Sequence, residues 1–189
     1  MSLRLLGSAA VLLLAAPGCD LIGSDLLGSV SSDDRAELQQ LTGDFFECDA
    51  DIRQIRDRAT GTLEAGDCLQ TDGSYQDFYA FRLSEPARVE IDLTSQEFAP
   101  YLFVLEANLD SSNPLNEIGR DRNEDRADRA VVSGVLDAGL YLVYANSVTA
   151  DEEGDYTLTV DATAEDDGVT AEDDGVTLPV QARPVPGAK

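Results

Sequence analysis

The side chains with the most chemistry to offer in this sequence are carboxylates standing close together. Asp72 and Asp77 fall in one turn-rich stretch, Asn123, Glu124, Asp125 and Asp128 crowd a second, and Asp151, Glu152 and Glu153 a third. Oxygen donors gathered from loops suit a hard cation, calcium first among them. Asp72, Asp77, Asn123, Asp125 and Asp128 are therefore the candidate metal ligands. A pair of carboxylates could instead serve a glycosidase-like, carboxylate-based hydrolase. With 37 acids in 189 residues, some pair falls at a suitable spacing by chance, and solvated acidic loops are the simpler reading. Histidine is absent from the sequence. That removes Ser-His-Asp and Cys-His nucleophile systems and the usual zinc sites. No glycine-rich loop of the G-x-x-x-x-G-K-[ST] kind is present to cradle a phosphate. A non-catalytic chain is the expectation.

The 37 acids face 13 bases, for a formal net charge of −24. Such a chain repels nucleic acid and anionic head groups, stays soluble and attracts cations or basic partners. Lys189 is the only lysine. Acid-rich, lysine-poor composition is one adaptation to high salt, because screening removes self-repulsion. A GC-rich genome or plain surface solvation accounts for it equally.

The elements that must position these carboxylates are strands. In Arg88–Leu93, Val89, Ile91 and Leu93 alternate with charged residues, the period of a half-buried strand. In Asp77–Leu83, Tyr79, Phe81 and Leu83 share one face. Ser84-Glu85-Pro86-Ala87 lies between the two, and Pro86 suits a turn, so the pair reads as a β-hairpin. Thr60–Leu63 is an earlier strand, with turns at Gly66-Asp67 and Asp72-Gly73-Ser74. Pro100–Leu105 and Gly139–Ala145 are apolar on both faces and belong in the middle of a sandwich. Leu115–Ile118, Ala130–Val132 and Gly154–Val160 complete the set, and Tyr156, Leu158 and Val160 face inward in the last. The alternating acids and arginines of Arg120–Arg129 read as a solvated loop. About eight short strands separated by turn signals predict an all-β fold, an antiparallel β-sandwich or jelly roll.

The front end is of a different kind. Arg4 precedes an apolar run from Leu5 to Ala16, too short to span a bilayer comfortably and placed as a signal peptide is. The run ends Ala15-Ala16-Pro17-Gly18-Cys19, which resembles the lipobox of bacterial lipoproteins. The resemblance implies cleavage before Cys19 and acylation of its sulfur and new amine, and two or more acyl chains give stable anchoring. Ala16 stands where the lipobox usually has leucine, and Pro17 is unusual there. Residues 1–18 are then a lipoprotein signal peptide and 19–43 a tether. A short helix from Ser32 to Leu41 lies within the tether. Lipidation of Cys19 leaves Cys48 and Cys68, which suggest one disulfide in an exported protein. A loop of about 20 residues makes it worth roughly 3 kcal/mol.

An ordered series of segments resembles the bacterial pre-peptidase C-terminal domain. The segments are Gly61-Thr62-Leu63, Asp77-Phe78-Tyr79-Ala80-Phe81, Val89–Ser95, Phe98-Ala99-Pro100-Tyr101-Leu102, Leu136–Val143 and Gly154–Val160. The family commonly has Phe-Asp-Pro where this chain has Phe98-Ala99-Pro100. The resemblance implies a non-catalytic β-sandwich, with adhesion, polymer binding or help with secretion as its role. Related collagen-binding modules hold calcium. The domain is placed at residues 44–162, followed by an acidic, proline-containing tail at 163–189. In that tail Thr163–Val169 repeats at once as Thr170–Val176, a composition that predicts disorder. The reading as a whole is a lipid-anchored cell-envelope protein, periplasmic or surface-exposed. It presents a binding or adhesion module to an extracytoplasmic protein or polysaccharide and does not bind nucleic acid. A calcium-binding structural module is the alternative.

Overall fold

In a computed structural model, residues 26–122 and 128–164 are described. The expected signal peptide, Cys19, Asn123, Glu124, Asp125 and most of the acidic tail lie outside them. The elements run β1 (Leu27–Gly28), α1 (Ser32–Phe46), β2 (Ile52–Gln54), β3 (Arg58–Leu63), β4 (Cys68–Leu69), β5 (Tyr75–Leu83), β6 (Ala87–Ser95), β7 (Pro100–Ala107), β8 (Leu115–Asp121), β9 (Arg129–Leu136), β10 (Gly139–Ser147) and β11 (Gly154–Ala164). The fold is an all-β sandwich carrying one helix. The longer strands match the sequence reading. The short β1, β2 and β4 were not foreseen, and all three line one edge of β5.

Among the described residues there are two sheets. The larger runs β1-β5-β10-β7-β8, with β2 and β4 also on β5, and the smaller runs β3-β11-β6-β9. Pairing is antiparallel except between β2 and β5. The expected hairpin is therefore a crossing. β5 pairs with β10 and β6 pairs with β9 and β11, so Ser84–Pro86 carries the chain from one sheet to the other. The alternation along β5 and β6 is the same in either arrangement. In a hairpin their apolar residues would share one face of one sheet. Here they meet from opposite sides, and Tyr79, Phe81, Leu83, Val89, Ile91 and Leu93 join a single core.

The expected tether is also corrected over its second half. Leu26, Leu27, Val30 and Leu38 are buried, and Leu27 pairs with Leu83. Helix α1 is longer than expected and is capped by Ser31, whose hydroxyl accepts the Asp34 N–H at 3.0 Å. Asp34 also takes a bond from Arg82 of β5 at 2.8 Å, which fixes the first turn of α1 on the larger sheet. Leu38 and partly buried Phe46 then cover Phe78, Ala80, Leu142 and Tyr144, forming a second core on the outer face of that sheet. Cys48 and Cys68 form the disulfide, which ties the segment after α1 to β4. The charged stretch expected as a loop is partly strand. Arg120 and Asp121 end β8, and Arg129 begins β9 in contact with Asp92 and Glu90.

Candidate functional site

Three of the quoted sequence segments converge between the sheets. Asp77 and Tyr79 lie on the inward face of β5, Tyr156 projects from β11 opposite, and Gly61 of β3 is the register partner of Tyr156. Gly61 is required there. A Cβ at that position would lie 2.3 Å from the Tyr156 hydroxyl and 2.5 Å from Cζ, so the tyrosine crosses β3 only because no side chain stands in its path. Its hydroxyl then reaches β5 and donates to the Asp77 carboxylate. With that proton committed, Tyr79 is the donor in the 2.8 Å contact between the two hydroxyls. Arg53 of β2 completes the group. Its guanidinium pairs with Asp77, lies 3.4 Å from the Tyr156 hydroxyl, and stacks 4.6 Å from the centre of the Tyr79 ring.

This cluster is a clasp between the sheets. Burial pushes the Tyr156 phenol up, and the Asp77 charge adds to it. Burial likewise raises Tyr79 and Tyr144, and it raises Tyr141 to about 12, with Glu106 and Asp137 contributing. For a phenol whose folded pKa is raised, the stabilisation is complete below the unfolded value of about 10 and is lost as pH climbs through the folded value. These four of the six tyrosines should therefore ionise together with unfolding. Tyrosinate absorbance after a jump to pH 11 is expected to keep a slow phase matching the loss of circular dichroism. Immediate full ionisation of a chain that keeps its native spectrum would contradict this.

The candidate cation ligands are placed apart in function. Asp77 is not in a loop and serves Arg53 and Tyr156. Asp72 closes its own turn, accepting from the Ser74 hydroxyl at 2.7 Å and N–H at 3.1 Å, and the Ser74 hydroxyl holds its carboxyl below the usual range. Asp128 accepts from Gln96 at 3.3 Å. Glu153 accepts the Ala65 N–H at 3.2 Å. Among the described residues no three His, Cys, Asp or Glu side chains converge as a metal would need. Sequence reasoning missed Arg53, because β2 is short and its contact with Asp77 arises from a parallel pairing that no local pattern encodes.

On the outer face of the smaller sheet, next to the clasp, lies an open recess of about 540 Å³. Thr60, Thr157 and Thr94 stand in direct register across β3, β11 and β6, forming a row of hydroxyls. Thr62 beside them bonds Asp155 at 2.6 Å. Gln96 and Glu97 close one end, where Glu97 accepts the Asp155 N–H at 2.6 Å.

Fold and clasp together define a two-sheet β-sandwich domain. No protein-family model matches the chain, and no curated protein does. Among solved structures it is similar to the pre-peptidase C-terminal domain of a collagenase from Bacillus anthracis, the domain that the ordered segments resemble. That match has 14% identity and a TM-score of 0.44, and covers 59% of this chain and 95% of that one. It is also similar to a periplasmic inhibitor of g-type lysozyme from Aeromonas hydrophila, at 15% identity and a TM-score of 0.41 over 59% and 96% of the two chains. A third likeness is to a surface-associated copper-binding protein of Methylomicrobium album BG8, at 10% identity and a TM-score of 0.42 over 59% and 98%.

Proposed function

We propose that this chain is a non-catalytic, extracytoplasmic binding module, lipid-anchored through Cys19, whose recess on the smaller sheet takes a hydroxyl-rich polymer of the cell envelope. The carrying observation is the row Thr60, Thr157 and Thr94 at strand spacing on an open face, in which Thr94 donates to the Thr157 carbonyl at 3.5 Å and Thr157 accepts from Arg58 at 3.4 Å, so that Thr60 and Thr157 are the hydroxyls turned to a ligand. Strand pairing fixes their backbones in advance, so little ordering is lost on binding. The disulfide supports an oxidising compartment. The net charge of −24 favours neutral or cationic polymers over polyanions. The Asp77 carboxylate and the Tyr79 and Tyr156 hydroxyls are bonded to one another and to the Arg53 guanidinium, which suits a structural part.

Cosedimentation with purified peptidoglycan sacculi and with neutral polysaccharides tests the reading. Retention is expected, and Thr60→Val with Thr157→Val should weaken it about tenfold, the loss of one to two hydrogen bonds, with melting unchanged. No retention on any polymer would overturn it. Labelled palmitate in cells tests the anchor: incorporation is expected in the native chain and not in Cys19→Ala.

A further inference from the structure

Strand β9 is an edge of the smaller sheet, and its backbone direction can be fixed. The Val131 N–H donates to the Asp121 carboxylate at 2.8 Å, away from β6. Backbone groups alternate along a strand, so Ser133 and Val135 present their N–H and C=O on the same outer side. Beside them a cleft of about 270 Å³ enters the sandwich between β8 and β9. Val89, Ile91, Val132 and Tyr141 line it, and Glu106 and Asp137 add acidic groups. Ile118 and Val135 leave apolar surface exposed at 36% and 51%. Gly134 lies on the cleft wall, and a Cβ added there would meet nothing within 4 Å.

An apolar channel with carboxylates beside it fits a long aliphatic stem ending in a cation. A free strand edge next to it fits an extended backbone. We propose that β9 accepts an added strand from a basic partner, with a lysine or arginine of that strand lying in the cleft against Glu106. Charge complementarity selects this occupant, since a chain of net charge −24 recruits basic segments. The site is separate from the threonine recess, so it extends the proposed function to a second, peptide-binding surface.

Three fluorescein-labelled nonapeptides test it on the full chain by anisotropy at physiological salt. Each alternates threonine with lysine, norleucine or glutamate. The lysine peptide should bind, and Ser133 and Val135 amide exchange should slow at least tenfold on binding. Glu106→Gln should weaken binding at least tenfold. Gly134→Leu, which grows into open space, should do the same. Ser133→Pro removes an outward N–H that the sheet does not use, and should abolish binding. Thr60→Val with Thr157→Val should leave it unchanged. If Ser133→Pro melts early, Gly134→Leu and amide exchange carry the test. Absence of lysine-peptide binding at millimolar concentration overturns the proposal. So does equal binding of the norleucine peptide, or lysine-peptide binding indifferent to Gly134→Leu and without slowed exchange.

Discussion

Asp77→Ala is expected to lower the unfolding free energy by about 2 kcal/mol, most of it from leaving the buried Tyr156 hydroxyl without its acceptor, because the Arg53 side chain of the ion pair is 36% exposed and the pair itself contributes little. The change strips Arg53 of its counter-ion and leaves the Tyr156 hydroxyl without its acceptor. The Tyr79 hydroxyl still has Tyr156 to bond, but Tyr156 must find a new place for its proton. Tyr156→Phe attacks the same network from the other sheet and is expected to cost about 1–2 kcal/mol, because the ring remains and the orphaned groups number fewer. Since both changes break one contact, the double variant should fall short of the sum by about 1 kcal/mol. Gly61→Ala reaches the network without touching a polar atom. Its methyl displaces the Tyr156 ring and should cost about 2–3 kcal/mol, as overpacking does. Urea unfolding of the four variants measures all of this. Additivity within about 0.3 kcal/mol would mean that the clasp is not one unit.

The clasp also shows what the sequence disclosed and what it withheld. Alternation in Val89–Leu93 and Tyr156–Val160 located strands and their inward faces, because burial of one side of a pleated strand leaves that mark directly. Strands apolar on both faces belong in the interior of a sheet, and β10 and β7 are adjacent within the larger one. Partnership left no such mark. Alternation is the same in a hairpin and in a crossing between sheets, so it does not show that β5 pairs with β10 and β6 with β11 and β9. Asp77 stands out in the sequence as a candidate cation ligand, whereas its role in the fold depends on Arg53 and Tyr156, which arrive from β2 and β11. Helix α1 was truncated because Leu38 and Thr42 are its only fully buried residues, too few to register as an amphipathic stripe. The disulfide was legible for a simpler reason: once Cys19 is assigned to lipid, two cysteines remain.

That weakly patterned helix makes the disulfide's second expected effect a large one. Replacing Cys48 and Cys68 together with serine should cost about 3 kcal/mol through the freed unfolded chain, for a bridge that closes a sequence separation of 20. A purely entropic effect would stop there, with every amide of the folded protein exchanging through the same global opening. The position of the bridge argues for more. Helix α1 is held to the sandwich at its start by the Arg82–Asp34 pair, and just beyond its end by Cys48. A partly exposed ion pair contributes little, about 0–1 kcal/mol, so the bridge is the stronger of the two fixings. Without it the helix should lift as a local unit, uncovering Phe78, Leu142 and Tyr144. Amides of Ser32–Phe46 should then exchange at least tenfold faster relative to those of β10, and a hydrophobic dye should bind before the urea midpoint. Uniform acceleration across helix and sheet would assign the bridge to the unfolded chain alone. Arg82→Ala would separate the two accounts further. It should change little in the bridged protein, and in the serine variant it should speed exchange in α1 again, because there it removes the helix's polar contact with β5 and leaves the apolar contacts of Leu38 and Phe46 between the flanking strands β1 and β2.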